Sequence, residues 1–504
     1  AWTVTPQTPD ESLARPGSTD VVVAGAAPLS WDPAAIADGA SAQVLDQLYE
    51  GLTALDSGDQ LRPALAQAWS LDDGGRRQVF ELRDGLTFSD GSPLTAADVR
   101  RSWLRVLDPG RPSPLASLLD DVVGASDYRR GQVDADAVGI VADGRTLTVT
   151  FVRPAAYFPS ITAVPTLAVV PLGIDSQASG PGRAGSFVAS GAYVPGEPES
   201  GLIRLDRNER YWAGPAPTAR VGLLTDLGGR SNVDVFESDA LDWTRIADSD
   251  ASWIRYDRSL GPQLHYTDEM AVDLLGFDAT RPPFDDLHAR RAVAQAVDWR
   301  RLAELGGYST APSSIVPPGV EGRGDGDYLP IYDPDAARAE LAAAGYPDGQ
   351  AFPVVSLVTY GVGPAEAIAA DLERELGITV TVELRSFEEH SALLATDPPA
   401  MWTLAWSADY PHAHDFLGLL LEGDSSANQT GWSDTDFDRL IEAAAATADP
   451  AEQARLYAAA QTIVGEQVPL IPLDYGSSWW LSRDGLRGGT ISGVGLMRLA
   501  DLAW

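Results

Sequence analysis

Phe88-Ser89-Asp90-Gly91-Ser92-Pro93-Leu94-Thr95-Ala96-Ala97-Asp98-Val99 is the stretch on which the reading of the fold turns. Its second half has the layout of a capping box. The Thr95 side chain is placed to accept from an early helix N–H, and Asp98 to reach back. The helix so opened is expected over residues 96–107, where Asp108-Pro109-Gly110 stops it. Upstream, Arg77-Gln78-Val79-Phe80-Glu81-Leu82 alternates with the two-residue period of a strand and breaks at Asp84-Gly85. Residues 146–152 alternate in the same way. Strands and helices follow one another, which points to an α/β architecture.

The rest of the chain continues the pattern. Val21-Val22-Val23-Ala24 is a short buried strand, followed by a helix over 40–52 with Val44, Leu45, Leu48 and Leu52 on its apolar face. A helix is expected over 286–305, ending at Gly306-Gly307. Asp333-Pro334 supplies an N-cap and a proline at the first helical position, and that helix closes at Gly345-Tyr346-Pro347. A helix over 365–376, Gly377 and a strand over 378–384 come next, then helices over 434–447 and 450–466 joined at Asp449-Pro450. No segment repeats with a fixed period, so solenoids and propellers are excluded.

Bulk properties narrow the function classes. The 504 residues, 44% of them hydrophobic, suffice for two or three cores. The net charge is −36, and there is no lysine, so arginine carries every permanent positive side chain. Such a surface repels nucleic-acid phosphates and anionic lipid. Without cysteine there are no disulfides, zinc–thiolate sites or thiol nucleophiles. The longest apolar run, residues 161–174, is interrupted by Pro165 and Pro171 and is too short to span a bilayer. Ala1-Trp2-Thr3-Val4 is not a signal peptide, so an exported protein of this sequence is expected to have lost its signal or lipid anchor upstream. Residues 5–19, polar and proline-rich, read as a tether or frayed arm.

Further motifs follow in order. Asp32-Pro33 precedes Glu50-Gly51-Leu52, and Leu61-Arg62-Pro63-Ala64-Leu65-Ala66-Gln67-Ala68-Trp69 leads to Phe80-Glu81-Leu82-Arg83-Asp84-Gly85. Ser190-Gly191-Ala192-Tyr193 and Arg207-Asn208-Glu209-Arg210-Tyr211-Trp212 lie in the middle. Pro282-Pro283-Phe284-Asp285-Asp286, Arg290-Arg291-Ala292-Val293, Ala343-Ala344-Gly345-Tyr346 and Trp406-Ser407-Ala408-Asp409-Tyr410 complete the series. With these motifs the chain resembles the large extracellular solute-binding proteins of family 5, the peptide and nickel type, over residues 20–475. The opening stretch matches that family's F-x-D-G-x-P-L-T-A-x-D-V run nearly letter for letter.

The resemblance implies an α/β, class II periplasmic-binding-protein-like clamshell of two lobes with an extra β-rich domain. Residues 1–19 would be a flexible arm; 20–50, 166–268 and 477–504 one lobe; 51–165 the accessory domain; and 269–476 the opposite lobe. Hinge closure would enclose the ligand. The resemblance further implies a monomeric substrate-binding component of an ABC importer, working outside the cytoplasm with permease and ATPase subunits. The precursor would be lipid-anchored, and neither cofactor, metal nor nucleic acid is implied.

A peptide carrier must recognise a backbone and two charged ends. The resemblance places the ligand's ammonium on Asp409 and its backbone, as an added strand, along Trp406 and Ser407, with Ala408 and Tyr410 completing the motif. The plainer alternative is that Asp409 caps the following turn. Asp38 and Gly39 fall where relatives press backbone against the ligand, and Phe387 where oligopeptide binders carry a pocket tryptophan. Gly191, with Ala192 and Tyr193, either allows close backbone approach near the hinge or serves a turn. Trp402, Trp406 and Tyr410 either wall side-chain pockets or belong to the core, and Asn428 completes the implied set.

The departures concern the ligand's other end. Leu394 and Thr403 stand where oligopeptide binders have basic residues, and Tyr360 where dipeptide binders have arginine. Arg385 is either a substitute or a surface residue. The same scaffold in other hands carries oligosaccharides, nickel complexes or other small solutes, so a non-peptide ligand is the alternative. His412-Ala413-His414-Asp415 is reminiscent of a metal cluster, but two histidines without a third ligand read as a polar loop. A secreted hydrolase is the remote reading, since no G-x-S-x-G elbow or H-E-x-x-H helix occurs.

Overall fold

The computed structural model describes residues 17, 19–111, 113–178, 180, 186–305 and 312–504. The expected arm over 1–19 lies outside these apart from Gly17 and Thr19, as does the expected helix stop at Gly306-Gly307.

Local signals place most elements. Asp98 Oδ2 accepts from the Thr95 N–H at 2.8 Å and starts the helix Ala96–Val106. Asp333 Oδ1 accepts from Ala336 N at 3.0 Å ahead of Pro334–Ala343. Two expectations are corrected. The helix expected over 286–305 is two helices, Leu287–Ala296 and Trp299–Leu305, because Val297 turns extended and Asp298 Oδ1 accepts from Arg301 N, opening a new first turn. The helix expected over 40–52 is Gly39–Leu48, since the chain turns extended at Tyr49, whose ring is buried beside Phe187.

One ten-stranded mixed sheet runs through the molecule. Its two long central strands, Leu264–Phe277 and Leu470–Ser482, are antiparallel neighbours. Beyond the first lie Met401–Ser407, Val355–Thr359 and Val380–Leu384. Beyond the second come Trp243–Ile246, Val21–Ala24, Arg220–Leu224, Leu202–Arg207 and Tyr193–Pro195. The ladder between the long strands slips between Asp268 and Val272, and again between Asp273 and Leu274 opposite Pro472.

Separate cores flank this crossing. Val21, Tyr193, Leu205, Trp243 and Leu499 belong to one. Phe277, Phe284, Leu357 and Leu372 form another, and Met270, Trp402, Phe416 and Tyr457 a third alongside it. A four-stranded antiparallel sheet, Ala66–Asp72, Arg77–Leu82, Thr146–Thr150 and Ile140–Asp143, packs under Ala96–Val106 with its own core of Phe80, Trp103, Leu147 and Phe158. The result is a two-lobed α/β clamshell with an added β-rich unit.

That unit grips both sides. Arg105 pairs with Asp32 at 2.7 Å on one flank. On the other, Arg153 joins Asp121 at 2.6 Å to Glu422 at 3.4 Å, and Tyr157 stacks on His414 with ring centroids 3.7 Å apart. Among the described residues no helix is long and apolar enough to cross a membrane.

Candidate functional site

A cleft of about 530 Å³ opens where the crossing strands meet the β-rich unit. Its wall draws on residues 36–46, the β-rich unit at 54–57, 114–115 and 163–166, Arg245, residues 269–271 with 407–411, and the C-terminal segment 488–501. Among the described lining residues there is no aromatic side chain.

Asp38 and Gly39 enter the wall as the start of Gly39–Leu48. Asp38 Oδ1 accepts from Ser41 N at 2.8 Å and Oδ2 from Ser41 Oγ at 2.7 Å, so its carboxylate is engaged as the helix cap.

Across the cleft, Met401–Ser407 pairs along its full length with Leu264–Phe277, but on its other edge only Met401 and Trp402 meet a strand. Ala405 N donates to Tyr360 Oη at 3.0 Å on that second edge. In an antiparallel strand the N–H and C=O of alternate residues point to the same side. Ser407 therefore presents its backbone on the unpaired edge, at the cleft wall with Ala408 and Asp409.

Asp409 is partly buried, and burial pushes its carboxyl above the usual range. No hydrogen bond or ion pair to its carboxylate is formed by any described residue; its N–H donates to Asp415 Oδ2 at 3.3 Å. Asp415 lies behind it, fully buried, with Oδ2 accepting from Trp406 Nε1 at 2.8 Å and Oδ1 unpaired. Burial first, and the Asp409 charge second, push the Asp415 carboxyl well up. Burial raises both carboxyls, that of Asp415 further, so Asp409 is the readier of the two to carry negative charge at the cleft wall. The cap of the next helix, Ala413–Leu421, is His412, accepting from His414 N at 3.2 Å, so Asp409 does not serve that turn.

The other sequence-selected residues lie off this wall, most of them packed into cores or tied into their own loops. Trp406 is half-buried with its indole turned to Asp415. Tyr410 is buried in the core of the β-rich unit, its hydroxyl 2.8 Å from His414 Nδ1. Trp402 is buried under Gly276, where a Cβ would stand 2.3 Å from the indole. Gly191 does permit close approach, but to the end of Gly39–Leu48: a Cβ there would meet Gln47 O at 2.6 Å. Ala192 and Tyr193 are buried, and the Tyr193 hydroxyl donates to Thr218 O and Leu499 O. Asn428 ties its own loop together through Leu421 O, Glu422 O and Trp432 O. Phe387 is 63% exposed, edge-on to Tyr360 at 5.4 Å.

The missing carboxylate clamp is also accounted for. Leu394 is core, Thr403 is buried against Thr359, and Arg385 pairs with Glu383 at 2.7 Å. His412 and His414 are buried packing residues rather than a polar loop, and burial holds His412 down to about 4. Among the described residues no three His, Cys, Asp or Glu side chains converge in metal-binding geometry. Sequence reading missed Arg245, Glu269, Met270 and Arg498, which line the cleft from segments without a recognisable motif.

Two lobes joined by crossing strands around an open cleft make a scaffold that can enclose a ligand. The description "Bacterial extracellular solute-binding proteins, family 5 Middle" matches residues 60–428, and the chain belongs to that family. It is 29% identical over 473 residues to the probable deoxycholate-binding periplasmic protein YgiS of Escherichia coli (strain K12), covering 89% of this chain and 86% of that protein. It is 24% identical over 495 residues to the oligopeptide-binding protein OppA of Bacillus subtilis (strain 168), covering 93% and 89%. Among solved structures, the unliganded open form of the periplasmic murein tripeptide binding protein MppA superposes with a TM-score of 0.83 at 23% identity, covering 96% of each chain. The Haemophilus influenzae OppA complex with RPPGFSPFR gives 0.70 at 22% identity, covering 96% and 98%. The family is one of extracellular solute-binding proteins, not enzymes, so the chain works outside the cytoplasm.

Proposed function

We propose that the protein captures peptides between its lobes and delivers them to the permease of an ABC importer powered by ATPase subunits. It acts as a monomer, lipid-anchored in its precursor. Residues 20–50, 166–268 and 477–504 make one lobe, 51–165 the accessory domain and 269–476 the other lobe; the slipped ladder at Asp268–Val272 supports a hinge at that boundary. Asp409 receives the ligand's ammonium, Ser407 adds the ligand backbone to the sheet edge, and Ala408, Asp38 and Gly39 close on it from either side. The observation that carries this reading is the Asp409 carboxyl, at the cleft wall with no partner among the described residues, beside a strand edge that no described strand pairs. An ammonium brought there supplies the missing counter-charge.

Asp409→Asn tests it. Peptide affinity is expected to fall about ten- to hundred-fold, the worth of an enclosed charge-assisted hydrogen bond. Titration calorimetry with peptides recovered by mass spectrometry from denatured protein measures this, and unchanged affinity sinks the assignment.

One observation favours a second reading, a non-peptide solute. Ile36, Leu55, Leu115, Val164, Met270 and Leu496 give the cleft much apolar wall, and one relative carries the name deoxycholate-binding. An oligosaccharide is disfavoured, because among the described lining residues there is no aromatic on which a sugar face would stack. Recovery of a single apolar solute instead of a peptide mixture would establish this reading in place of the first.

A further inference from the structure

Among the described lining residues of the cleft two are arginines, and they differ in what they already hold. Arg498 is engaged. Its Nη2 donates to Tyr211 Oη at 3.3 Å, and Glu50 and Asp501 lie 4.0 and 3.9 Å away. Negative neighbours, Glu50 foremost, hold its charge against the cost of burial.

Arg245 has no such set. It sits on Trp243–Ile246, between Val21–Ala24 and the crossing strand Leu470–Ser482, with its backbone carbonyl accepting from Asn232 Nδ2 at 2.8 Å. Its guanidinium donates through Nη2 to the Gly495 carbonyl, and no described carboxylate stands within ion-pairing distance of it. The side chain is exposed to the cleft, and the protein around it desolvates the guanidinium enough to lower its hold on its proton, which Glu269 partly offsets. Glu269 is itself bonded to Ser478. Arg245 also stands where the main cleft adjoins a second cavity of about 290 Å³, walled by Val23, Leu223, Leu227, Trp243 and Met497.

Among the described residues, one lobe thus presents a cation, Arg245, and the other a carboxyl, Asp409, each without an ion-pair partner. The basic positions sought on the Asp409 side, at 360, 394 and 403, carry no charge. We propose that Arg245 receives the ligand's terminal carboxylate, so that a peptide bridges the lobes with its amine on Asp409 and its acid on Arg245. The planar guanidinium keeps free N–H donors beyond the one spent on Gly495, enough for a two-point grip on a carboxylate. The neighbouring cavity gives an apolar carboxyl-terminal side chain a place to go. This assignment rests on the peptide reading of the same cleft.

The test uses mixed tri- to pentapeptides free of Asp and Glu, made once as free acids and once as carboxyl-terminal amides. Each mixture is equilibrated with the full chain, and retained peptide is quantified by mass spectrometry. The unaltered protein is expected to retain the acids over the amides by about ten-fold or more. Arg245→Gln should lose that preference because acid retention falls much further than amide retention, and Arg245→Lys should restore part of it. Equal retention of acids and amides by the unaltered protein overturns the assignment, as does an Arg245→Gln protein that still prefers acids. A purely structural tie to Gly495 would lower retention of both mixtures alike, which also overturns it. If the unaltered protein retains neither mixture, the peptide reading falls and this one with it; Asp409→Asn, by contrast, should weaken acids and amides equally.

Discussion

Burial decides the charge state of the carboxylates around the crossing strands. Asp273, opposite Ala405 on one side and Asp474 on the other, is pushed up to about 6 by burial alone. An unfolded aspartate titrates near 3.9. Between those values the folded chain holds a proton that the unfolded chain has lost, so this group's contribution to stability declines as pH rises through the window. Asp273→Asn should therefore stabilise the protein at pH 8 by about 1–2 kcal/mol, allowing for solvent screening, and change little at pH 3.5. Urea unfolding at both values checks this; an equal effect at the two would show that charge burial is not the cause. At this scale the sequence reveals types but not directions. The motif singles out Asp409, yet nothing in the letters shows that Trp402 and Tyr410 point into cores, or that Arg245 points into the cleft. Orientation depends on which face of each strand or loop the neighbouring layers cover, a property of the assembled fold.

Elements whose signals are local were legible. The caps at Thr95 and Asp333 act within one turn, and the strand Arg77–Leu82 shows its period directly. The long crossing strands were not. Pro472 lacks an N–H for the ladder, which argues against a central strand, and the slip beside it is how the sheet accommodates that loss. Thr267-Asp268-Glu269 interrupts the alternation of the other strand where its ladder slips. Gly276 on that strand is a steric requirement, since the Trp402 indole lies across it. Gly276→Ala should cost about 1–3 kcal/mol in urea unfolding, the usual penalty of overpacking. Combining it with Trp402→Phe should recover part of that loss, because the smaller ring withdraws the clashing atoms. Strictly additive costs would refute the contact as the source.

For the whole molecule, the motifs disclosed the family because they are spread over the chain in order, each short enough to survive where overall identity is low. The cleft was only half visible. Its motif-bearing wall contains Asp38, Gly39 and Ser407–Asp409, while its C-terminal wall comes from residues 488–501, which carry no motif. Enclosure by two lobes predicts linkage between binding and shape. Peptide at a hundred times its dissociation constant should add about 2.7 kcal/mol of stability. Small-angle scattering should show a smaller radius of gyration at one equivalent, independent of protein concentration for a monomer. Binding without compaction would rule out hinge closure.

The slipped ladder between Leu264–Phe277 and Leu470–Ser482 has a mechanical consequence. The two halves are plates on a pair of leaf springs, and the springs are thinnest where rungs are missing. Bending there strains few bonds, whereas sliding one plate past the other would shear every rung along both rails. A hinge at this ladder, as proposed for the binding stroke, would flex readily and resist slippage, so the jaws would return to the same registration.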